Sequence, residues 1–212
     1  MVMQYATLAV GMLKIAAEAV DVGKDIWKKV KPPETLAKGK EIEGVLDRDY
    51  YSDTYKFKMS VPDDTWQFWK PTADFKNSFL GGAMALPTKD MPVVVLSRQL
   101  MNMMRPYVQV IVEDIGSFTS VSEVLAFEKQ VSRLLDWQVK DEDVHVYEGA
   151  TSGILVKSQP FLEKRLFQVE KVHLYRGRAY YLLASYVPAS EELTALPGGL
   201  QEIMNSFQLI KQ

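Results

Sequence analysis

Apolar positions near the amino terminus recur at steps of three and four: Val2, Tyr5, Ala9, Met12, Leu13, Ala16, Val20, Gly23 and Trp27. That spacing places them on one face of a helix. Lys28, Lys29 and Lys31 gather at its carboxyl end, where the helix dipole favours cations, and Pro32-Pro33 forbid continuation. An amphipathic helix is therefore expected over residues 1–31, and the polar stretch 32–43 with Lys38-Gly39-Lys40 reads as a linker.

The period then changes to that of strands. Tyr55 to Val61 alternates apolar and polar residues, and Pro62-Asp63-Asp64 ends it in a turn. Met91 to Leu100 and Tyr107 to Ile115 are longer apolar runs of the kind covered on both faces. Residues 73–89 carry Gly81-Gly82 and Pro87 and read as irregular or weakly helical. Ser120-Val121-Ser122-Glu123 is a capping box, and Val121, Val124, Leu125, Phe127, Val131, Leu134 and Leu135 form the stripe of a helix ending near Asp136. From Trp137 to Pro188 strand-like runs are separated by Glu148-Gly149, Gln159-Pro160 and Arg176-Gly177-Arg178, too closely for parallel pairing. Around the last of these turns, Val172, Leu174, Tyr181, Leu183 and Val187 supply some faces, and Tyr175, Tyr180, Leu182 and Tyr186 the others. Both faces are apolar, so both require cover. A helical stretch starts at Ser190-Glu191-Glu192, breaks at Pro197-Gly198-Gly199, and resumes as an amphipathic helix through Leu200, Ile203, Met204 and Phe207.

The order strand, Pro, turn and Trp (Tyr55 to Trp66), two long strands, a capped helix, hairpins and a terminal Ile203-Met204-Asn205-Ser206-Phe207-Gln208-Leu209 resembles the Mog1/PsbP-like superfamily over residues 44–212. The resemblance implies an α+β fold, an α/β/α sandwich with a central, mainly antiparallel sheet. Members of that superfamily include extrinsic subunits of photosystem II, a partner of a small nuclear GTPase, bacterial envelope lipoproteins and adaptor chaperones of secreted toxins. They share a fold, and a fold does not transmit a function.

Composition narrows the classes. Lys plus Arg number 25 against 27 Asp plus Glu, so no global positive field draws in nucleic acid. Cys is absent, which excludes thiolate nucleophiles, disulfides and cysteine metal sites. The uncharged run Met1 to Leu13 is too short to span a bilayer and lacks the basic start of a secretory signal. It reads as mature sequence, with a signal or lipid anchor ahead of Met1 left open. An envelope or periplasmic location is expected, with the cytoplasm as the alternative.

Candidate chemistry is sparse. Asp143 and His145, two apart on a strand, share a face and could form an acid-oriented base of a hydrolase, but an exposed edge beside the acidic turn Asp141-Glu142-Asp143 is the favoured reading, since no Ser sits in a nucleophile elbow. His173 lies between Val172 and Leu174 and faces a helix layer or solvent. No His-Glu-x-x-His, calcium loop or phosphate-binding glycine pattern occurs, so neither a metal nor a cofactor is expected. Trp66, Phe68 and Trp69 form an aromatic cluster that anchors a core or an interface. The expected function is that of a non-enzymatic accessory module in a larger assembly. Its partner-binding candidates are Tyr5, Met12, Leu13, Trp27, Phe68 and Trp69, with membrane association through the first helix or an anchor as a further mode. An adaptor sheltering a client's apolar helix is the rival, and the Asp143–His145 hydrolase a third reading.

Overall fold

The computed structural model describes residues 44–71, 89–102, 104–116, 118–141, 144–147, 151–161, 163–189 and 196–210. The expected helix over 1–31, the linker 32–43, the stretch 73–88 and the helical start at Ser190 lie outside them.

Two antiparallel sheets organise these residues. A four-stranded sheet holds β1 (Val45–Leu46), β2 (Asp49–Ser52), β3 (Phe57–Ser60) and β11 (Gln208–Leu209), in that order. A seven-stranded sheet has β4 (Trp66–Trp69), β5 (Lys89–Ser97), β6 (Tyr107–Asp114), β7 (Val144–Val146), β8 (Ser152–Phe161), β9 (Lys164–Tyr175) and β10 (Arg178–Tyr186). Its spatial order is β4-β5-β6-β10-β9-β8-β7. Two helices are described, α1 (Val121–Leu134) and α2 (Gly198–Ser206).

Strand β10 shows why the large sheet needs two layers. Its side chains alternate between two cores: Ala179, Tyr181 and Leu183, with Val187 just beyond the strand, point to one, Tyr180, Leu182, Ala184 and Tyr186 to the other. The first core is closed by Val121, Val124 and Leu125 of α1. The second is closed by Tyr50, Phe57 and Met59 of the small sheet and by Leu200, Ile203 and Met204 of α2. The expected α+β sheet is thus present, but the second covering layer is mixed, a small sheet with one helix rather than helices alone.

Local chemistry fixes both helices. The Ser120 side chain accepts from the Glu123 amide, and the Glu123 carboxylate accepts from the amide and hydroxyl of Thr119, so the capping box closes one residue further out than its simplest form. The second residue of α2 is Gly199, where an added Cβ would lie 2.7 Å from the Trp66 indole nitrogen. At its other end the Ser206 hydroxyl accepts from the Ser60 amide and donates to backbone carbonyls, and Phe207 packs on Phe57 at 5.2 Å between ring centroids. The Ser-Phe pair of the terminal motif therefore ties α2 to β3 and plugs the second core.

Three expectations are corrected. Tyr55 and Lys56 lie in the turn before β3, Lys56 with a positive φ of 53°, so that strand is shorter than its alternation indicated. Gln159-Pro160 is part of β8 rather than a turn. The missing amide of Pro160 is tolerated because β7 pairs only with Gly153 to Leu155 of β8. Trp66 to Trp69 is itself strand β4, pairing with β5, rather than a cluster following a strand.

Candidate functional site

Strand register brings together residues whose sequence positions give no hint of contact. Lys157 of β8 pairs with Gln168 of β9, Gln168 with Ser185 of β10, and Ser185 with Tyr107 of β6. One row across four strands is polar throughout, on the face beneath α1, and every member is buried. The neighbouring row adds Glu170 and Gln109, which flank Leu183. From above, Glu128 and Ser132, one helical turn apart on α1, face down as buried residues. The strands were expected to be apolar on both faces; this core instead contains a polar seam.

The seam is knit together. Lys157 Nζ lies 2.9 Å from Glu170 Oε2 and 3.4 Å from Ser132 Oγ, and sits 5.4 Å from the centre of the Trp137 ring. Exposure is 4% for the Lys157 side chain and 0% for that of Glu170. Gln168 Nε2 donates to Ser185 Oγ at 2.9 Å, and Tyr181 donates to Glu113 at 2.8 Å. Burial, followed by the negative charges of Glu128 and Glu113, holds the Tyr181 phenol far above its ordinary range. Burial likewise raises Tyr107, with a hydrogen bond to Ser185 opposing it. Such an arrangement can fix the strand register and the seat of α1. A buried ion pair adds little net stability, yet loss of one partner leaves a bare charge in a low-dielectric interior.

The predicted site residues are dispersed. Phe68 and Trp69 are each 8% exposed and point into opposite cores from β4, and Trp66 is half-buried against Gly199. Tyr5, Met12, Leu13 and Trp27 lie outside the described residues, as does Asp143. His145 is exposed on β7, an edge strand of the large sheet. His173 stacks on Phe207 at 5.4 Å, and burial, assisted by the charge of Lys171, depresses its pKa to about 4. Among the described residues no group of three or more His, Asp or Glu side chains could hold a metal ion, and no helix is long and apolar enough to cross a membrane.

No family model matches the chain, and no curated protein matches it. Several solved structures are similar to it, two of them as follows. One is the solution structure of cyanobacterial PsbP (CyanoP) from Synechocystis sp. PCC 6803, at 16% identity and a TM-score of 0.49, covering 80% of this chain and 97% of that one. The other is LpqN, involved in cell envelope biogenesis of Mycobacterium tuberculosis, at 13% identity and a TM-score of 0.41, covering 75% of this chain and 87% of that one. At these values neither likeness carries a function, partner or site to this chain.

Proposed function

We propose that this chain is a non-catalytic accessory module of a protein assembly, working on the envelope side of a bacterial cell, and that it engages its partner through the apolar face of residues 1–31. The observation that carries this reading is the disposition of ionisable groups. Lys157 and Glu170 are turned toward each other beneath α1, His173 is held neutral against Phe207, and His145 stands on an exposed edge. Apolar positions supply the means of interaction: Tyr5, Met12, Leu13 and Trp27 of the stripe expected from the sequence, and, among the described residues, exposed side chains such as Leu46, Val146 and Tyr147.

The test compares the full chain with a variant lacking residues 1–31 in the cells that make it, by sedimentation of native complexes. The full chain is expected to sediment in a complex larger than itself and the shortened one as a monomer. Identical sedimentation of the two would contradict the reading. The rival adaptor reading is favoured by one feature: Ile154 and Val156, on the face of β8 opposite α1, are half-buried and belong to neither core.

A further inference from the structure

We propose that His173 is an acid-operated latch for the carboxyl-terminal edge of the fold: protonation of its imidazole frees Phe207 and β11 from β9 and β3 while the rest of the domain stays closed. The geometry singles out this ring. It lies on β9 facing the second core, opposite Tyr180 of β10 and Ser152 of β8. Phe207 stacks on it with centroids 5.4 Å apart and ring planes 27° from parallel. Phe207 in turn sits 5.2 Å from Phe57 of β3 and 6.1 Å from Tyr180. One aromatic side chain therefore closes the gap between the two sheets, and the imidazole is its floor. Nε2 of that imidazole is buried with no hydrogen-bond partner among the described residues. Protonation makes both ring nitrogens donors, so Nε2 then holds a charged N–H with no acceptor, the costlier state in an apolar interior.

The groups around the ring give an imidazolium no counter-charge. On β9 itself Lys171 and Tyr175 share its face. On β10, Tyr180 donates its hydroxyl to the Tyr55 carbonyl, and Arg178 is ion-paired with Asp114. Asp90 accepts from the Tyr55 hydroxyl, β3 brings Lys58 opposite Gln208, and Glu202, the charged residue of α2, is exposed. Burial, then the repulsive charge of Lys171, holds the imidazole pKa down at about 4. What the latch holds is small. β11 is two residues long, Gln208 pairing with Lys58 and Leu209 with Phe57, and the Ile210 amide donates to the Lys56 carbonyl at 2.8 Å. It can leave without α2, which keeps its own tie from the Ser60 amide to Ser206 Oγ. Its departure bares the edge of β3 and uncovers Phe57, 0% exposed when closed. The open chain takes up its proton near 6.5 and the closed site near 4, so falling pH favours opening. Between pH 7 and pH 5 the open fraction rises up to about 20-fold, less to the extent that solvent reaches the ring.

Native-state hydrogen exchange of the full chain at pH 7 and pH 5 tests the latch at the Ile210 amide, with the Gln168 amide reporting global unfolding. Ile210 is expected to exchange at a lower free energy than Gln168 at both pH values, without sensitivity to low denaturant, and to lose protection by up to about 20-fold at pH 5. His173→Phe keeps the stack and removes the titration, so the protection of Ile210 should then be the same at both pH values. In the unaltered chain, the loss at Ile210 should level off at the pH where the imidazole's own NMR signal titrates. Protection at Ile210 equal to that at Gln168 would mean that the strand leaves only with the whole fold, and would overturn the latch. Protection independent of pH would mean that the face of Phe207 holds the imidazolium in place, or that the strand frays without freeing the ring, and would overturn it too. So would the same loss in His173→Phe.

Discussion

Lys157 and Glu170 show how a buried charge constrains a fold more than it stabilises it. Replacing Lys157 by Met leaves the Glu170 carboxylate without its cation at 0% exposure, and a loss of about 3–5 kcal/mol is expected in denaturant unfolding. The double change Lys157→Met with Glu170→Leu should recover most of it, since the interior then loses both charges together. His173 acts through pH. The unfolded chain takes up a proton at this residue near pH 6.5 and the folded site only near 4. The contribution is therefore complete above 6.5 and is lost as pH falls through the window to about 4. Its size is at most about 3 kcal/mol, and less because the ring is only partly buried. His173→Phe keeps the stack on Phe207 and should flatten the stability profile between pH 6.5 and 4, which thermal unfolding at a series of pH values measures. Neither role was legible from single residues. Lys157, Gln168 and Ser185 look like the polar positions of any half-exposed strand until the register aligns them in one row. The Arg176-Gly177 turn, with φ of 49° and 75°, sets the pairing of Gln168 with Ser185. Part of the seam could therefore have been found from the hairpin alone.

Elements were read well where two signals agreed. The capping box and the apolar stripe both pointed to α1, and its helix starts at Val121 as they require. The alternation around Arg176-Gly177-Arg178 separated the two cores correctly, with Val172, Leu174, Tyr181, Leu183 and Val187 on one side and Tyr175, Tyr180, Leu182 and Tyr186 on the other. Strands β1, β2 and β11 escaped the pattern because strands of two to four residues hold too few alternations to distinguish from turns. Gly153 and Gly199 look like ordinary breakers in the sequence, but both mark close approaches. A Cβ on Gly153 would meet Leu125 at 2.6 Å and the His145 carbonyl at 2.8 Å, and one on Gly199 the Trp66 ring. Ala at either position is expected to cost about 1–3 kcal/mol by overpacking. Gly198→Ala, where an added Cβ meets nothing within 4 Å, serves as the control in the same unfolding measurement.

At the scale of the molecule, the seven-stranded sheet is sandwiched between α1 and a mixed layer of β1, β2, β3, β11 and α2, all drawn from the described residues. The accessory reading depends on the ionisable interior being closed: a seam open to water would be a place for a ligand, whereas a closed one is a fastening between helix and sheet. Native-state hydrogen exchange of the full chain tests this most directly. The amides of Gln168, Glu170 and Ser185 are expected to exchange only through global unfolding, at one common free energy equal to that from denaturant titration. Exchange at those three positions faster than in the middle of α1 would mean that water reaches the seam in the folded protein, and would contradict the account.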